Sequence, residues 1–538
     1  MNTFATVDWI VLGLYFTILL GIAWWVVRQK NDTTKDYFLA GKSVGWFVIG
    51  ASIFASNIGS EHIVGLAGTG AESGMPMAHY ELHAWIVLLL GWLFLPFYMR
   101  ANVFTMPEFL EKRFDARSRW FLSIFSIVAY VLTKVSVTIY AGGIVVSQLL
   151  GIPFIYGAIG TVVLTGIYTI LGGMRAVVYT EAFQMFFLVL GSLIIAIMAY
   201  NAVGGMAELR AAVGSDHFNM WRPISDPDLP WTGMFFGGMI VGIWYWCTDQ
   251  YIVQRTLSAH NIQIGRRGAI FAAFLKLLPV FIFLIPGILA YALKQQGVLM
   301  YEKSDQVFPA LVQHLLPAGL KGLVAGGLMA ALMSSLASVF NSASTLFTVD
   351  IFKKLRPATS ERNLVRTGQL ATGFIVVLGM LWIPIMQKIG GGVLYQYLQS
   401  VQSYIAPPIT TVFLLGILWK RINGMAAIAT LGFGLIMATL RIIAELTVSI
   451  DSSPFLYSFA TTPFSHMAIF MFLACVVVCV AVSLLTSPQP ESQFSGLSFG
   501  TLTKEQKLEN RKSYSKTDVA ISFILLTIII SIMIYFTG

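Results

Sequence analysis

Charge is scarce in this chain. Of its 538 residues only 11% are Asp, Glu, Lys or Arg, against roughly 25% in a typical soluble domain. A water-soluble globule of this length could not cover itself with so few charges. That argues against a soluble enzyme, a nucleic-acid binder and a disordered chain. Cysteine is also rare: Cys247, Cys475 and Cys479 all sit in apolar runs, without metal-ligand spacing to a histidine. A disulfide framework or a zinc site is therefore not indicated. The sequence has no Walker A loop, dinucleotide fingerprint or zinc-binding HExxH, which argues against ATP-driven chemistry within the chain. No nucleophile–base pair stands out as an enzyme would require. No small-residue cleavage site follows the first apolar run, so that run reads as a span rather than a leader.

Apolar sequence is abundant instead, with 57% of residues hydrophobic. A membrane-crossing helix needs about 20 mostly apolar residues. Fourteen candidates are expected: 7–27, 44–71, 78–99, 119–150, 153–171, 176–202, 233–255, 267–294, 318–349, 363–388, 393–417, 422–446, 463–486 and 516–537. Lys and Arg outnumber Asp and Glu by 34 to 25. Of those 34, 25 fall in alternate loops, among them Arg28, Lys30, Lys112, Arg117, Arg266, Lys353, Lys420 and Lys507. Only 6, such as Arg210, Arg222 and Lys388, fall in the intervening loops and adjacent helix ends. The positive-inside rule then predicts a multi-pass protein of the plasma (inner) membrane, embedded in lipid, with both termini outside. Residues 487–515 read as a polar cytoplasmic linker before a last peripheral helix, and 203–232 as a larger external loop.

Two spans are interrupted by polar residues. The second contains Ala55-Ser56-Asn57-Ile58-Gly59-Ser60-Glu61-His62, and the seventh Trp244-Tyr245-Trp246-Cys247-Thr248-Asp249-Gln250. They lie five helices apart, the sequence pointer to an inverted-repeat transporter. Unwound backbone frees carbonyls for a cation and is tolerated in a bilayer only beside a cavity. The alternative is a pair of packing kinks. The ninth span places Ser334, Ser338 and Ser342 on one face at i, i+4 spacing, with Ser335 beside them. Hydroxyls suit a hard alkali cation, or they serve only close helix packing.

Intramembrane ionisable residues are Glu81, Lys134, Glu181, Asp249, Lys276, Arg441 and Glu445. Each should face a partner or water, because insertion costs about 2.5–3.5 kcal/mol for most such types. Arg441 and Glu445 are i, i+4 neighbours. Glu81 and Lys276 have no local partner, which leaves a wet cavity or an interhelical salt bridge. His62, Asn57, Glu81, Lys276, Gln399 and Gln402 supply mixed donors and acceptors, and Tyr245 and Trp246 supply flat apolar faces. Neutral sugars need that combination. A carboxylate solute would want a mid-span arginine, and none stands near these residues.

At these residues the sequence resembles the sodium/glucose cotransporter group of the sodium:solute symporter family. The likeness runs through Asp36-Tyr37-Phe38-Leu39-Ala40-Gly41-Lys42, Asn57-Ile58-Gly59-Ser60, Gly65-Leu66-Ala67-Gly68-Thr69-Gly70 and Trp244 to Gln250. It continues through Val253-Gln254-Arg255, Met333-Ser334-Ser335-Leu336 and Phe340 to Thr348, and most of it lies in 44–420. The resemblance implies an all-α membrane protein with a LeuT-like fold of two inverted five-helix repeats. The expected division is 1–43 as a peripheral helix and loop, 44–202 as the first repeat, 203–420 as the external loop plus the second repeat, and 421–538 as peripheral C-terminal helices. It implies a non-enzymatic carrier importing a hexose with sodium by alternating access. Sodium would be held by carbonyls of Ala55, Ile58 and Ala331 and hydroxyls of Ser334 and Ser335. The sugar would be held by Asn57, His62, Glu81, Lys276 and Gln399, with Tyr245 closing the site from inside and Trp246 alongside. Myo-inositol, sialic acid or an amino acid are rival solutes, and a sugar sensor or channel a rival class. The chain departs from the family pattern at Glu181, where an Asp near a second sodium is usual, and at Tyr80-Glu81-Leu82-His83, where Glu-Trp-Asn is usual.

Overall fold

The structure is a computed structural model. It describes residues 4–29, 32–389, 394–448 and 453–538, except the side chains of Glu61, Leu132, Ser136, 382–389 and 394–397. Lys30, the Lys388 side chain and the start of the expected span at 393 lie outside the described residues. Among the described residues every regular element is a helix. The membrane-embedded ones are α1 (Thr6–Val27), α2 (Trp46–Asn57), α3 (Ser60–Ser73), α4 (Met75–Ala101), α5 (Ala116–Leu150), α6 (Phe154–Val203), α7 (Gly233–Thr248) and α8 (Gln250–Leu257). They continue with α9 (Ile262–Gln295), α10 (Leu320–Leu355), α11 (Glu361–Ile389), α12 (Leu394–Leu418), α13 (Gly424–Thr447), α14 (Phe464–Leu485) and α15 (Lys516–Tyr535).

Among the described residues, by length and apolarity, 11 helices can each cross a membrane, or 12 with the bent pair α2 and α3 taken as one span. The expected fourteen differs from this at two places. The candidates 153–171 and 176–202 run together as α6 (Phe154–Val203), which is two helices meeting at a kink that falls between them. It departs from helical geometry at Gly173 (φ 55°, ψ −150°). Only glycine fits there, because a Cβ would stand 2.5 Å from the Tyr37 carbonyl oxygen. The candidate 233–255 is two shorter pieces, α7 and α8, separated at Asp249.

Burial orders the helices. Nearly all of α10 is enclosed, whereas α1, α14 and α15 keep most of their surface outward. The outward side chains are apolar, as with Trp24, Phe186, Leu370, Val477 and Ile534. An apolar exterior is what a hydrocarbon solvent requires. α10 packs along α6, α2 packs against the first half of α9, and α1 covers α6 and α10. The second half of α9 crosses α3 at very close range. A Cβ on Gly70 would lie 2.2 Å from the Leu284 carbonyl oxygen, and one on Gly287 would lie 2.1 Å from that of Ala67. Reciprocal glycines at a helix crossing let two backbones meet.

The polar segment after α14 is tied down along its length. Gln489 donates to the Phe114 carbonyl (2.9 Å), and Arg100 to that of Gly496 (2.9 Å). Ser498 donates to the Ile417 carbonyl (3.0 Å), and Arg266 to that of Ser513 (2.8 Å). The expected linker is thus a strap stitched across the ends of α4, α9 and α12.

Gly70→Ala or Gly287→Ala should each destabilise the protein by about 1–3 kcal/mol, the range for overpacking. Gly432→Ala, where a Cβ would meet nothing within 4 Å, should be neutral or slightly stabilising. Thermal unfolding of the three variants in one detergent checks this.

Candidate functional site

The break between α2 and α3 organises the site. Asn57 ends α2. Ile58 (φ −88°, ψ 91°) and Gly59 (φ −89°, ψ 177°) are extended, and the helix restarts at Ser60 with its axis bent by 58°. The extended residues take the last carbonyls of α2 out of the helical ladder, where side chains of other helices meet them. From α10, Ser334 Oγ donates to the Ala55 carbonyl (2.8 Å) and to that of Ala331 (3.0 Å). Ser335 Oγ donates to the Ser56 carbonyl (3.2 Å), and the Tyr251 hydroxyl of α8 reaches the same oxygen. Four of the five expected sodium ligands thus lie in one contact network. The fifth, Ile58, is the residue that turns the backbone out of α2.

The second break is built differently. α7 ends in a wide turn over Ile243–Thr248, and Asp249 (φ −78°, ψ 128°) caps α8 by accepting from the Tyr251 amide (3.2 Å). The Tyr130 hydroxyl of α5 donates to the same Asp249 oxygen. Lys134, one turn further along α5, lies over the rings of Tyr245 (4.1 Å) and Tyr251 (3.8 Å). A cation on two aromatic faces is stabilised by their quadrupoles.

Between the two breaks lies a narrow cavity, lined by Asn57 and His62 from the first and Tyr245 and Trp246 from the second. Lys276, Gln399 and Gln402 complete its expected wall. Its water-accessible volume is about 30 Å³, room for about two waters. Any larger solute therefore requires the wall to open. Glu81 stands behind this wall. It accepts from Lys276 Nζ at 2.5 Å and lies 3.8 Å from His62 Nε2. Six of the seven expected solute residues thus line one cavity, and the seventh neutralises and aims Lys276. Tyr80, His83 and Lys134 line it as well; the sequence marked them only as part of a departure from the family pattern and as an intramembrane cation. Gln402 follows Gln399 by one helical turn, so spacing alone puts both on one face. A larger groove of about 680 Å³, between α6, α9 and α15, is mostly apolar and has the character of a lipid-facing surface.

Glu181 lies on the other side of α2. Its carboxylate takes Arg255 Nη2 at 2.8 Å and the hydroxyls of Ser338 and Ser52, all fully enclosed. It joins α6, α8, α10 and α2 just beyond the Ser334–Ala55 contact. Arg441 and Glu445 pair at 2.9 Å. Among the described residues no group of three or more His, Cys, Asp or Glu could hold a metal ion.

Broken helices converging on a polar cavity define a secondary-transporter architecture, and the comparisons agree. The fold is that of a Na+-coupled sialic acid symporter in a substrate-bound outward-open state (TM-score 0.78, 24% identity, 90% of this chain and 98% of that one). It is therefore LeuT-like. A nucleobase-cation-symport-1 family transporter in a closed conformation matches less closely (TM-score 0.51, 12% identity, 90% and 99% covered). A model of the sodium:solute symporter family matches residues 37–434, and the chain belongs to that family. Sodium is accordingly its co-transported ion. The sodium/myo-inositol cotransporter 2 of Bos taurus is 39% identical over 533 residues, covering 92% of this chain and 79% of that one. The sodium/glucose cotransporter 1 of Oryctolagus cuniculus is 38% identical over 542 residues (93% and 82%).

Arg255→Met should cost about 3–5 kcal/mol, because it leaves the Glu181 carboxylate buried and unpaired. The double variant Glu181→Gln/Arg255→Met should lose less than the sum of its single changes. A double-mutant cycle from unfolding in detergent measures the coupling; strictly additive losses would mean the pair is not a unit.

Proposed function

We propose that the chain imports a neutral, polyhydroxylated ring solute of the hexose type with sodium. The carrying observation is that the cavity wall is rich in hydrogen-bonding groups, with its Lys276 cation neutralised by Glu81 at 2.5 Å. Such a wall suits many hydroxyls, and Lys134, its second cation, is engaged over the Tyr245 and Tyr251 rings. The Tyr245 and Trp246 rings offer apolar surface for the C–H face of a sugar. A second reading, a myo-inositol type of polyol, is favoured by the relatives named for that solute at 38–41% identity.

Sodium would enter among the carbonyls of Ala55, Ile58 and Ala331 and the hydroxyls of Ser334 and Ser335. The two hydroxyls now donate across the gap between α2 and α10. Rotated, they would present lone pairs to the ion, which would tie the helices together. Asn57 and His62 flank the same break, so fixing the backbone at 55–58 preorganises the solute wall. This is the physical link between ion and solute in our reading. A single charge falling through 100 mV supplies about 2.3 kcal/mol, enough for roughly fifty-fold accumulation. Residues 44–202 and 203–420 would be the two inverted repeats, each opened by one broken helix. The cation-rich loops and the 487–515 strap would be cytoplasmic, with both termini outside.

Proteoliposomes should take up labelled glucose, galactose or myo-inositol saturably with an inward sodium gradient, and not when potassium replaces it. Ser335→Ala should raise the half-saturating sodium concentration by about tenfold. Lys276→Gln should raise that of the solute by about tenfold or more, since a charge-assisted hydrogen bond is worth about 1.5–3 kcal/mol. Unchanged sodium dependence in Ser335→Ala would remove the ion assignment. Absence of sodium-driven uptake of all three solutes by folded protein would remove the solute reading.

A further inference from the structure

Part of the cavity wall has no role in the reading above. Tyr80 and His83 project from the first turns of α4 into the cavity that Lys276 and Gln399 also line. Both are buried, at 4% and 5% exposure. The His83 imidazole fits against two glycines one turn apart on α7. A Cβ at Gly238 would lie 2.9 Å from its Cε1, and one at Gly242 would lie 3.1 Å from its Nδ1. The glycines make a slot, and the Tyr80 ring, 5.2 Å away centre to centre, closes its side. The imidazole is therefore held in place by packing.

Their polar atoms are left over. Among the described residues the Tyr80 hydroxyl has no hydrogen-bond partner. Ser403 faces it; the Ser403 proton goes to the Gln399 carbonyl at 2.8 Å, so Ser403 can only accept from the phenol and leaves the phenol's own acceptor unused. The hydrogen bonds of His83 to described residues run through its backbone carbonyl, which accepts from the Ile86 and Val87 amides (2.7 and 3.4 Å), and none through the imidazole. Buried polar groups are nearly always paired, so each exception asks for an explanation. Two such groups side by side on a solute cavity have one in common: the solute pairs them. A neutral imidazole offers one donor and one acceptor, and a phenol offers both. Together they match a pair of neighbouring hydroxyls, each of which also donates and accepts.

We propose that Tyr80 and His83 are specificity-determining residues that hydrogen-bond adjacent ring hydroxyls of the solute, on the part of the ring that Asn57, His62 and Lys276 do not reach. The assignment rests on the polyol reading above. Its consequence is selectivity between ring solutes that differ in one hydroxyl. A site built to bond a hydroxyl discriminates strongly against the analogue lacking it, because the protein group is then left unpaired.

The experiment is competition by a panel against sodium-driven uptake of the labelled solute that wild-type protein carries. The panel is glucose, galactose, myo-inositol and the single-deoxy glucoses, applied to wild type, Tyr80→Phe and His83→Gln. Phe keeps the ring that closes the slot, and Gln keeps polarity without the imidazole geometry. At one or two ring positions wild type should lose about tenfold or more in affinity for the deoxy compound. In the matching variant that loss should shrink to about twofold, while half-saturating sodium stays within twofold of wild type. Equal deoxy penalties in wild type and both variants would overturn the assignment and leave the pair a packing role. Absence of uptake of every polyol by folded wild-type protein would instead fail the solute reading itself, and this assignment with it. Should His83→Gln not fold, Tyr80→Phe alone decides between the first two outcomes.

Discussion

A peptide group inside a bilayer must find its hydrogen bond within the protein, and this requirement governs the structure. Each interruption of a helix is met by groups from elsewhere. The carbonyls of Ala55 and Ser56, released where α2 stops, are taken by Ser334, Ser335 and Tyr251. The Tyr251 amide at the start of α8 is met by the Asp249 carboxylate and by the Tyr130 hydroxyl of α5. A broken helix is costly in hydrocarbon, so its cost confines it to the few places where such partners converge. Those places surround the polar cavity.

The charged groups obey the same rule. Glu81 joins α4 to α9 through Lys276, and Glu181 joins α6 to α8 through Arg255. Each pair ties together two helices that are distant in sequence. The two carboxylates also have further polar neighbours, His62 at 3.8 Å from Glu81 and the Ser338 and Ser52 hydroxyls on Glu181, as burial in low dielectric demands. The Glu181 group is closest to the ion set: Ser338, which bonds its carboxylate, also donates to the Ser334 carbonyl at 2.7 Å. The carboxylate is thus engaged by an arginine and two hydroxyls.

The two small-residue crossings have the opposite character. Gly70 and Gly287 bring α3 and α9 into backbone contact, while Gly238 and Gly242 leave room for an imidazole. In the first case the missing side chains fix a distance between helices. In the second they make part of the cavity wall. Glycine-rich stretches of similar appearance therefore do different work, and only their neighbours tell them apart.

Much of the architecture was legible in the sequence because hydropathy is a local property. Membrane residence, most helix positions and the interruption at Asn57–Ser60 follow from residues close together in the chain. So does the Arg441–Glu445 pair. The break at Gly173 likewise falls in the gap between the candidates 153–171 and 176–202, whereas the split at Asp249 lies hidden inside the single candidate 233–255. The strap after α14 read as a plain linker because its partners, Arg100, Phe114, Ile417 and Arg266, lie far away in sequence. What only the tertiary structure decided is which side chains meet. Lys276 finds Glu81 across 195 positions, and Ser334 finds Ala55 across 279. Tyr80 and His83 reach the cavity because α7 carries glycines where their rings pass. Pairing across such separations depends on how helices cross, and helix crossing is set by side-chain shape on both partners at once. The sequence by itself determined that there would be a polar centre in an apolar bundle. The packing decided which residues face one another across it.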